Sequence, residues 1–257
     1  MSHVFKVPGW VVFHVPHNST LIPPGVRDQF LLSESALQEE ILRMTDMHTL
    51  DLYTSGVYAE HIVEATVSRL VVDVERFADD EKEAMASRGM GVIYTTTTSL
   101  QPLRRDVSND ERNALLEKWY FPHHRQLSSE VRGCVAGYGR ALIIDCHSFS
   151  SRPLLYEQDQ RPKRAEICIG TDSVHTPAGL TSAFCHAFED AGFIVAIDLP
   201  FSGAMVPASA FGLPNVQSVM IEVSRDLYMD ESMGAKLPTF SETAAKVQSC
   251  IHRAVCL

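Results

Sequence analysis

Residues 141–148 read Ala-Leu-Ile-Ile-Asp-Cys-His-Ser, four apolar positions running straight into an aspartate, a cysteine and a histidine. A run that short and apolar at every position has the length and character of a strand buried on both faces. Runs at 10–15, 70–74, 167–169, 193–197 and 219–223 share this character. Strands apolar on both sides belong to a sheet covered by helices on each face. The intervening segments 34–44, 51–65, 109–135, 177–191 and 241–254 supply candidate helices. Pro122 predicts a kink or break in the third of these, because its ring displaces a carbonyl one turn back. Thr239-x-x-Glu242 spells a capping box before the last, and 95–108 reads as a loop. The pattern predicts an α/β chain with a mostly parallel sheet. No repeat or linker-like cluster divides it, so residues 1–257 are expected to form a single domain.

Ionisable residues gather at these runs. His17 follows the first, Asp73 and Arg76 the second, and Asp145 and His147 the third. Thr171 and Asp172 follow the fourth, Asp198 follows the fifth, and Glu222 lies within the last. In an open α/β sheet the carboxyl ends of parallel strands form the ligand crevice, so polar groups delivered there converge. Any single aspartate in such a place more often starts a turn or caps a helix. Two histidines, His17 and His147, are harder to explain that way. With one carboxylate they make the minimal open zinc site, in which a fourth position remains for water. Asp46 and His48, in Thr-Asp-Met-His, are the nearest candidates for completing it, although a capping Asp beside a supporting His would read the same. His14, by strand alternation, is expected to face away from His17.

Glu222, inside Val-Met-Ile-Glu-Val, is the kind of carboxylate whose proton affinity burial raises, as a general base for hydrolysis requires. The competing reading is a buried structural glutamate paired with Arg225 or Arg69. Arg69 and Arg76 bracket the second run and suit bidentate recognition of a substrate carboxylate, or serve as surface charge. Arg104 and Arg105 are a weaker pair for that task.

Several classes are excluded. There is no Gly-x-Ser-x-Gly elbow, P-loop or dinucleotide glycine fingerprint. Cys146 is expected on the opposite strand face from His147. The six cysteines contain no Cys-x-x-Cys pair and read as mostly buried, reduced thiols. With 22 Lys plus Arg against 32 Asp plus Glu, the formal net charge of -10 argues against nucleic acid as a partner. No apolar run approaches the ~20 residues of a membrane span, and no signal-like leader is evident, so a cytoplasmic protein is expected.

Six strings carry a family resemblance. They are Val-Pro-His-Asn-Ser (15–19), Thr-Asp-Met-His with Asp-Leu-Tyr (45–53), Ser-Arg-Leu-Val-Val-Asp-Val-Glu-Arg (68–76), Ile-Asp-Cys-His-Ser (144–148), Ile-Gly-Thr-Asp (169–172) and Ile-Glu-Val-Ser-Arg-Asp-Leu-Tyr (221–228). In this order they resemble the N-formylglutamate amidohydrolase family. The resemblance implies a three-layer α/β/α sandwich with a mostly parallel mixed sheet, similar to zinc carboxypeptidases and aspartoacylases. It also implies a divalent metal, zinc, activating water against the amide of a small anionic N-acyl amino acid. His17, Asp46 and His147 then look like the metal ligands and Glu222 like the base. Arg76 resembles the receiver of a substrate carboxylate, with Arg69 in support, while His48, Asp73 and Asp145 stand behind the ligands. Three features depart from the family. Glu75 stands where Asn is common and would place negative charge near an anionic substrate. Thr20 replaces the Glu of a His-x-x-Glu ligand pair, and 201–215 is unlike typical members. Two rivals therefore remain: a carboxypeptidase-like or deacylase activity on a peptide or other N-acyl substrate, and a non-catalytic binder of acidic ligands.

Overall fold

A computed structural model describes residues 5–256. In chain order the elements are β1 (Phe5–Lys6), β2 (Val11–Val15), α1 (Pro24–Arg27), α2 (Glu34–Met44), α3 (Thr49–Thr54), β3 (Val57–Tyr58), β4 (His61–Glu64) and α4 (Asn109–Leu115). There follow α5 (Phe121–Tyr138), β5 (Ala141–Phe149), β6 (Ile167–Gly170), α6 (Ala178–Asp190), β7 (Val195–Ile197), β8 (Val216–Ser224) and α7 (Phe240–Val255). The main sheet has the order β4-β2-β5-β8-β6-β7. All its pairs are parallel except β6 with β8. β5 and β8, nine residues each, form its centre.

Alternation along these strands separates two layers. Phe13, Val15, Leu142, Ile144, Cys146, Val219, Ile221 and Val223 pack on α3, α6 and α7. Val12, Ile143 and Val216 face the other way, against Leu127, Val131 and Cys134 of α5. The mostly parallel, helix-covered sheet is therefore the architecture expected from the continuous apolar runs. A third apolar cluster joins α2 to the loops at 67–105.

Three local expectations are corrected. Residues 70–74 form no strand. They are a buried turn in the third cluster, its backbone satisfied by bonds such as Val71 N–H to Ser68 and Asp73 N–H to Val92. Apolar composition reported burial there, and a buried turn gives the same signal. The predicted helix at 51–65 stops at Thr54. Beyond Gly56, Val57, Ile62 and Val63 favour extended backbone, and His61–Glu64 adds an edge strand beside β2. Thr239 makes no side-chain cap, because its backbone is helical (φ -82°, ψ 0°) and not extended. The capping box that does form is Ser108 with Glu111, opening α4. The expected break near Pro122 takes the form of a π-turn at Leu116–Tyr120, after which Pro122 sits in the first turn of α5.

Candidate active site

Sheet register builds the site. His14 of β2 lies opposite Asp145 of β5, and His147 of β5 lies opposite Glu222 of β8. In-register neighbours share a face, and residues two apart on one strand do too, so all four point to the α5 side of the sheet. α5 covers the amino-terminal half of that face. The carboxyl-terminal half opens into a cleft of about 1760 Å³ lined by His17, Asp46, Arg69, Glu75, Arg76, Asp145, His147 and Glu222 among others. His17 arrives just after β2, and Asp46 arrives from the link between α2 and α3. The Asp46 N–H donates to the His17 carbonyl at 2.9 Å, tying the two segments together. Cys146, as alternation requires, lies on the opposite face in the apolar core.

The two imidazoles stand with ring centres 5.0 Å apart. Each has its Nε2 on a buried carboxylate, His17 on Asp73 Oδ1 at 2.8 Å and His147 on Asp145 Oδ1 at 3.2 Å, with the half-buried Glu75 Oε2 also 3.0 Å from His147 Nε2. Each Nδ1 faces Asp46 Oδ2, at 3.7 Å from His17 and 3.1 Å from His147. A histidine that gives its Nε2–H to a carboxylate presents its Nδ1 lone pair, the arrangement found behind metal-ligating histidines. Asp73 is itself braced by Arg69 Nη2 at 2.8 Å and by the Tyr94 hydroxyl. Asp46 is braced by Arg225 Nη2 at 2.8 Å.

The residues fit a divalent cation. His17 Nδ1, Glu75 Oε1 and Glu222 Oε2 are buried without hydrogen-bond partners. Ligand atoms of His17, Glu75 and His147 lie within 4.8 Å of one another. The same holds for His14, Glu75 and Asp145. Burial works against charge on His17 and His147, yet the surrounding carboxylates raise the proton affinity of both, that of His147 strongly. Burial also opposes the charge on Asp46 and Asp73. The hydrogen bond with His147, together with nearby His17 and Arg225, outweighs it at Asp46, and Arg69 outweighs it at Asp73, so both carboxyls sit well below the usual range. The pocket thus calls for positive charge between its imidazoles. Glu222 is the opposite case, since burial pushes its carboxyl up to about 8.

Among the arginines, Arg69 and Arg225 are spent on Asp73 and Asp46. The pairing of Glu222 with either, the structural alternative, is absent from the ion pairs of the described residues. Arg76 lines the cleft with a buried Nε lacking any hydrogen bond, and its contacts with Asp73 and Glu83 are loose, at 3.7 and 3.6 Å. Arg104 is no substrate group: it is buried over the Phe30 ring and donates to Gln29 and the Leu70 carbonyl. Arg105 pairs with Glu111. His48 also stands apart, its Nε2 2.7 Å from the Gly234 carbonyl. Asp198 bonds Thr171, and Asp172 caps the turn at 174–175.

Sequence reasoning missed the part played by three residues. Glu75 engages His147 and approaches His14. His14 joins the cluster, and His123 of α5 stands behind it with its Nε2 2.8 Å from His14 Nε2. The Pro-His-His string at 122–124, at a predicted helix break, was the available signal for His123.

The sequence model of the N-formylglutamate amidohydrolase family matches residues 10–229. An N-formylglutamate deformylase of Pseudomonas aeruginosa is 29% identical over 231 residues, covering 86% of this chain and 82% of that protein. A crystal structure of N-formylglutamate amidohydrolase from Ralstonia eutropha matches with a TM-score of 0.81 at 20% identity, covering 99% of this chain and 95% of the other. A gene product of Agrobacterium tumefaciens matches with a TM-score of 0.71 at 21% identity, covering 97% and 90%. The structural likenesses establish the fold, and the family match spans most of the sequence. The chain belongs to the N-formylglutamate amidohydrolase family and is an amidohydrolase.

Proposed function

We propose that the chain hydrolyses the amide of a small acidic N-acyl amino acid, N-formyl-L-glutamate yielding formate and L-glutamate, with a divalent cation, zinc by its donor set, held by His17, Asp46 and His147. The observation that carries this reading is the single Asp46 oxygen facing both Nδ1 atoms while both Nε2 atoms are occupied by buried carboxylates. When bound, the cation would supply Lewis-acid polarisation of the amide carbonyl and of the attacking water.

The chain's own residues do the rest. Glu222, held in a desolvated carboxyl end of β8, takes the proton of the attacking water and passes it to the leaving nitrogen. Arg76, with its uncommitted Nε, receives the substrate carboxylate, and Arg69 supports it by fixing Asp73. With the cation bound, Asp73 and Asp145 would hold the two imidazoles in the tautomer that turns each Nδ1 lone pair toward it.

Two observations favour variants of this reading. The grouping of His17, Glu75 and His147 would make Glu75 the third ligand. The roughly 1760 Å³ cleft exceeds the ~300–1,000 Å³ typical of small-ligand pockets, which favours a longer N-acyl or peptide substrate. Hydrolysis of N-formyl-L-glutamate and of an N-acyl dipeptide ending in glutamate, measured side by side on zinc-loaded protein, separates the substrates. Faster formate release supports the formyl amino acid. Faster release of glutamate from the peptide replaces it.

A further inference from the structure

We propose that the cleft carries a second anion subsite, a groove between α5 and residues 200–211 in which Arg125 and Arg132 receive the carboxylates of an acidic acyl chain. This deepens the function just proposed and rests on Arg76 receiving the terminal carboxylate. A substrate fixed there by its amino-acid end lengthens through its acyl group.

Phe121, His124, Arg125, Ser128, Ser129 and Arg132 all line the cleft. Their alternating spacing of three and one residues puts them on one face of α5. The adjoining face, with Leu127, Val131 and Cys134, is buried and packs with Met205, Val206 and Ala210. Most of residues 200–211 also line the cleft, so this segment stands beside the α5 stripe as a second wall. The wall is fastened at three points. The Met205 N–H donates to Asp145 Oδ2 at 2.9 Å, the Ser218 hydroxyl donates to the Met205 carbonyl at 2.8 Å, and the Gly212 N–H donates to His175 Nε2 at 2.9 Å. Because Asp145 also meets His147, the groove leads directly out of the catalytic cluster.

The groove is positive in an acidic chain. Residues 200–211 read Pro-Phe-Ser-Gly-Ala-Met-Val-Pro-Ala-Ser-Ala-Phe, without a charged side chain, and the α5 stripe carries no carboxylate. Arg125 and Arg132 are exposed, and among the described residues neither makes an ion pair or a side-chain hydrogen bond. The carboxylate of α5, Glu130, is turned to His61 at 2.7 Å. Asp172, which also lines the cleft, is taken up by the N–H groups of Val174 and His175. Glu117 stands one turn before Phe121, at the end of the stripe opposite Arg132. Two guanidiniums without partners, in a molecule of net charge -10, make the groove a local attractor of anions. Arg125 and Arg132 are seven positions apart, about 10 Å along a helix, the span of about three residues of extended chain. An acyl chain of that length bearing carboxylates would fill the part of the cleft that a formyl group leaves empty.

The test compares N-acetyl-triglutamate with N-acetyl-dialanyl-glutamate, which share the terminal glutamate and differ in acyl charge. Calorimetry measures the binding of each to zinc-loaded Glu222→Gln protein, a background chosen to stop turnover. The triglutamate is expected to bind about 2–30-fold more tightly, the worth of two exposed charge contacts. A non-specific effect of the -10 net charge would have the opposite sign. Adding Arg125→Gln and Arg132→Gln, both at exposed positions, is expected to abolish the preference. The same two substitutions in the otherwise unaltered protein should leave KM for N-formyl-L-glutamate unchanged, because a formyl group does not reach them. Equal affinity for the two peptides, no measurable binding of either, or a preference that survives the substitutions would overturn the proposal. If the unaltered protein releases neither formate nor glutamate from any of these compounds, the proposed function fails, while the binding preference still judges the groove.

Discussion

Replacing Glu222 with Gln should separate catalysis from stability in opposite directions. The side chain is 6% exposed and its Oε2 has no hydrogen-bond partner, so ionising it in the cation-free protein is costly. A glutamate that titrates near 4.5 in water is pushed here to about 8 by burial. Above pH 4.5 the unfolded chain releases this proton while the folded chain keeps it. Stability is therefore lost as pH rises from about 4.5 to about 8, at ~1.4 kcal/mol per pH unit. At pH 7 this amounts to about 3 kcal/mol, a penalty the isosteric amide does not carry. Urea unfolding of chelator-treated protein should show Glu222→Gln matching the parent near pH 4 and exceeding it by about 3 kcal/mol at pH 7. The zinc-loaded variant should lose turnover by about 10²–10⁴-fold, the usual worth of a general base. Parent-like turnover would make Glu222 structural. Equal stability at both pH values would refute the desolvated environment from which its role is inferred.

Arg225→Met should cost about 3–5 kcal/mol in thermal or urea unfolding, since it strands the buried Asp46 carboxylate that Arg225 meets at 2.8 Å; a loss below about 1 kcal/mol would contradict this. Arg76→Gln should raise KM for the anionic substrate by about one to two powers of ten, as charged hydrogen bonds are worth about 1.5–3 kcal/mol, with a smaller change in kcat. The net charge of -10 repels an anion, so the attraction is local to Arg76 at short range; if it dominates, binding by the parent should weaken with salt, and a KM indifferent to both perturbations would remove Arg76 from the site. His123, pushed down to about 2 mainly by burial, stays neutral in the fold while the unfolded imidazole protonates below about 6.5. Stability should therefore fall by ~1.4 kcal/mol per pH unit as acid is added below that point, and less steeply in His123→Gln. Identical slopes would show that His123 titrates freely.

The legible parts of the sequence were those where one physical signal dominates. β2, β5 and β8 announce themselves because strands buried on both faces carry runs of consecutive apolar residues. His147 and Glu222 are conspicuous as polar interruptions of such runs. The turn at 70–74 is equally buried, so composition alone could not distinguish it from a strand. The edge strand at His61–Glu64 was hidden for the opposite reason, since three of its four residues are partly exposed and a helical reading suited them. Most of what links the cluster is register: His14 meets Asp145, and His147 meets Glu222, only once β2, β5 and β8 are aligned. Glu75 looked like misplaced charge because the imidazoles near it, His14 and His147, come from 61 and more residues away along the chain.

Formate release from N-formyl-L-glutamate by purified protein, measured before chelation, after chelation and after zinc is restored, tests the catalytic proposal most directly. Release that vanishes on stripping and returns with zinc is the predicted result. No release from demonstrably zinc-loaded protein, or undiminished release after complete stripping, would contradict it.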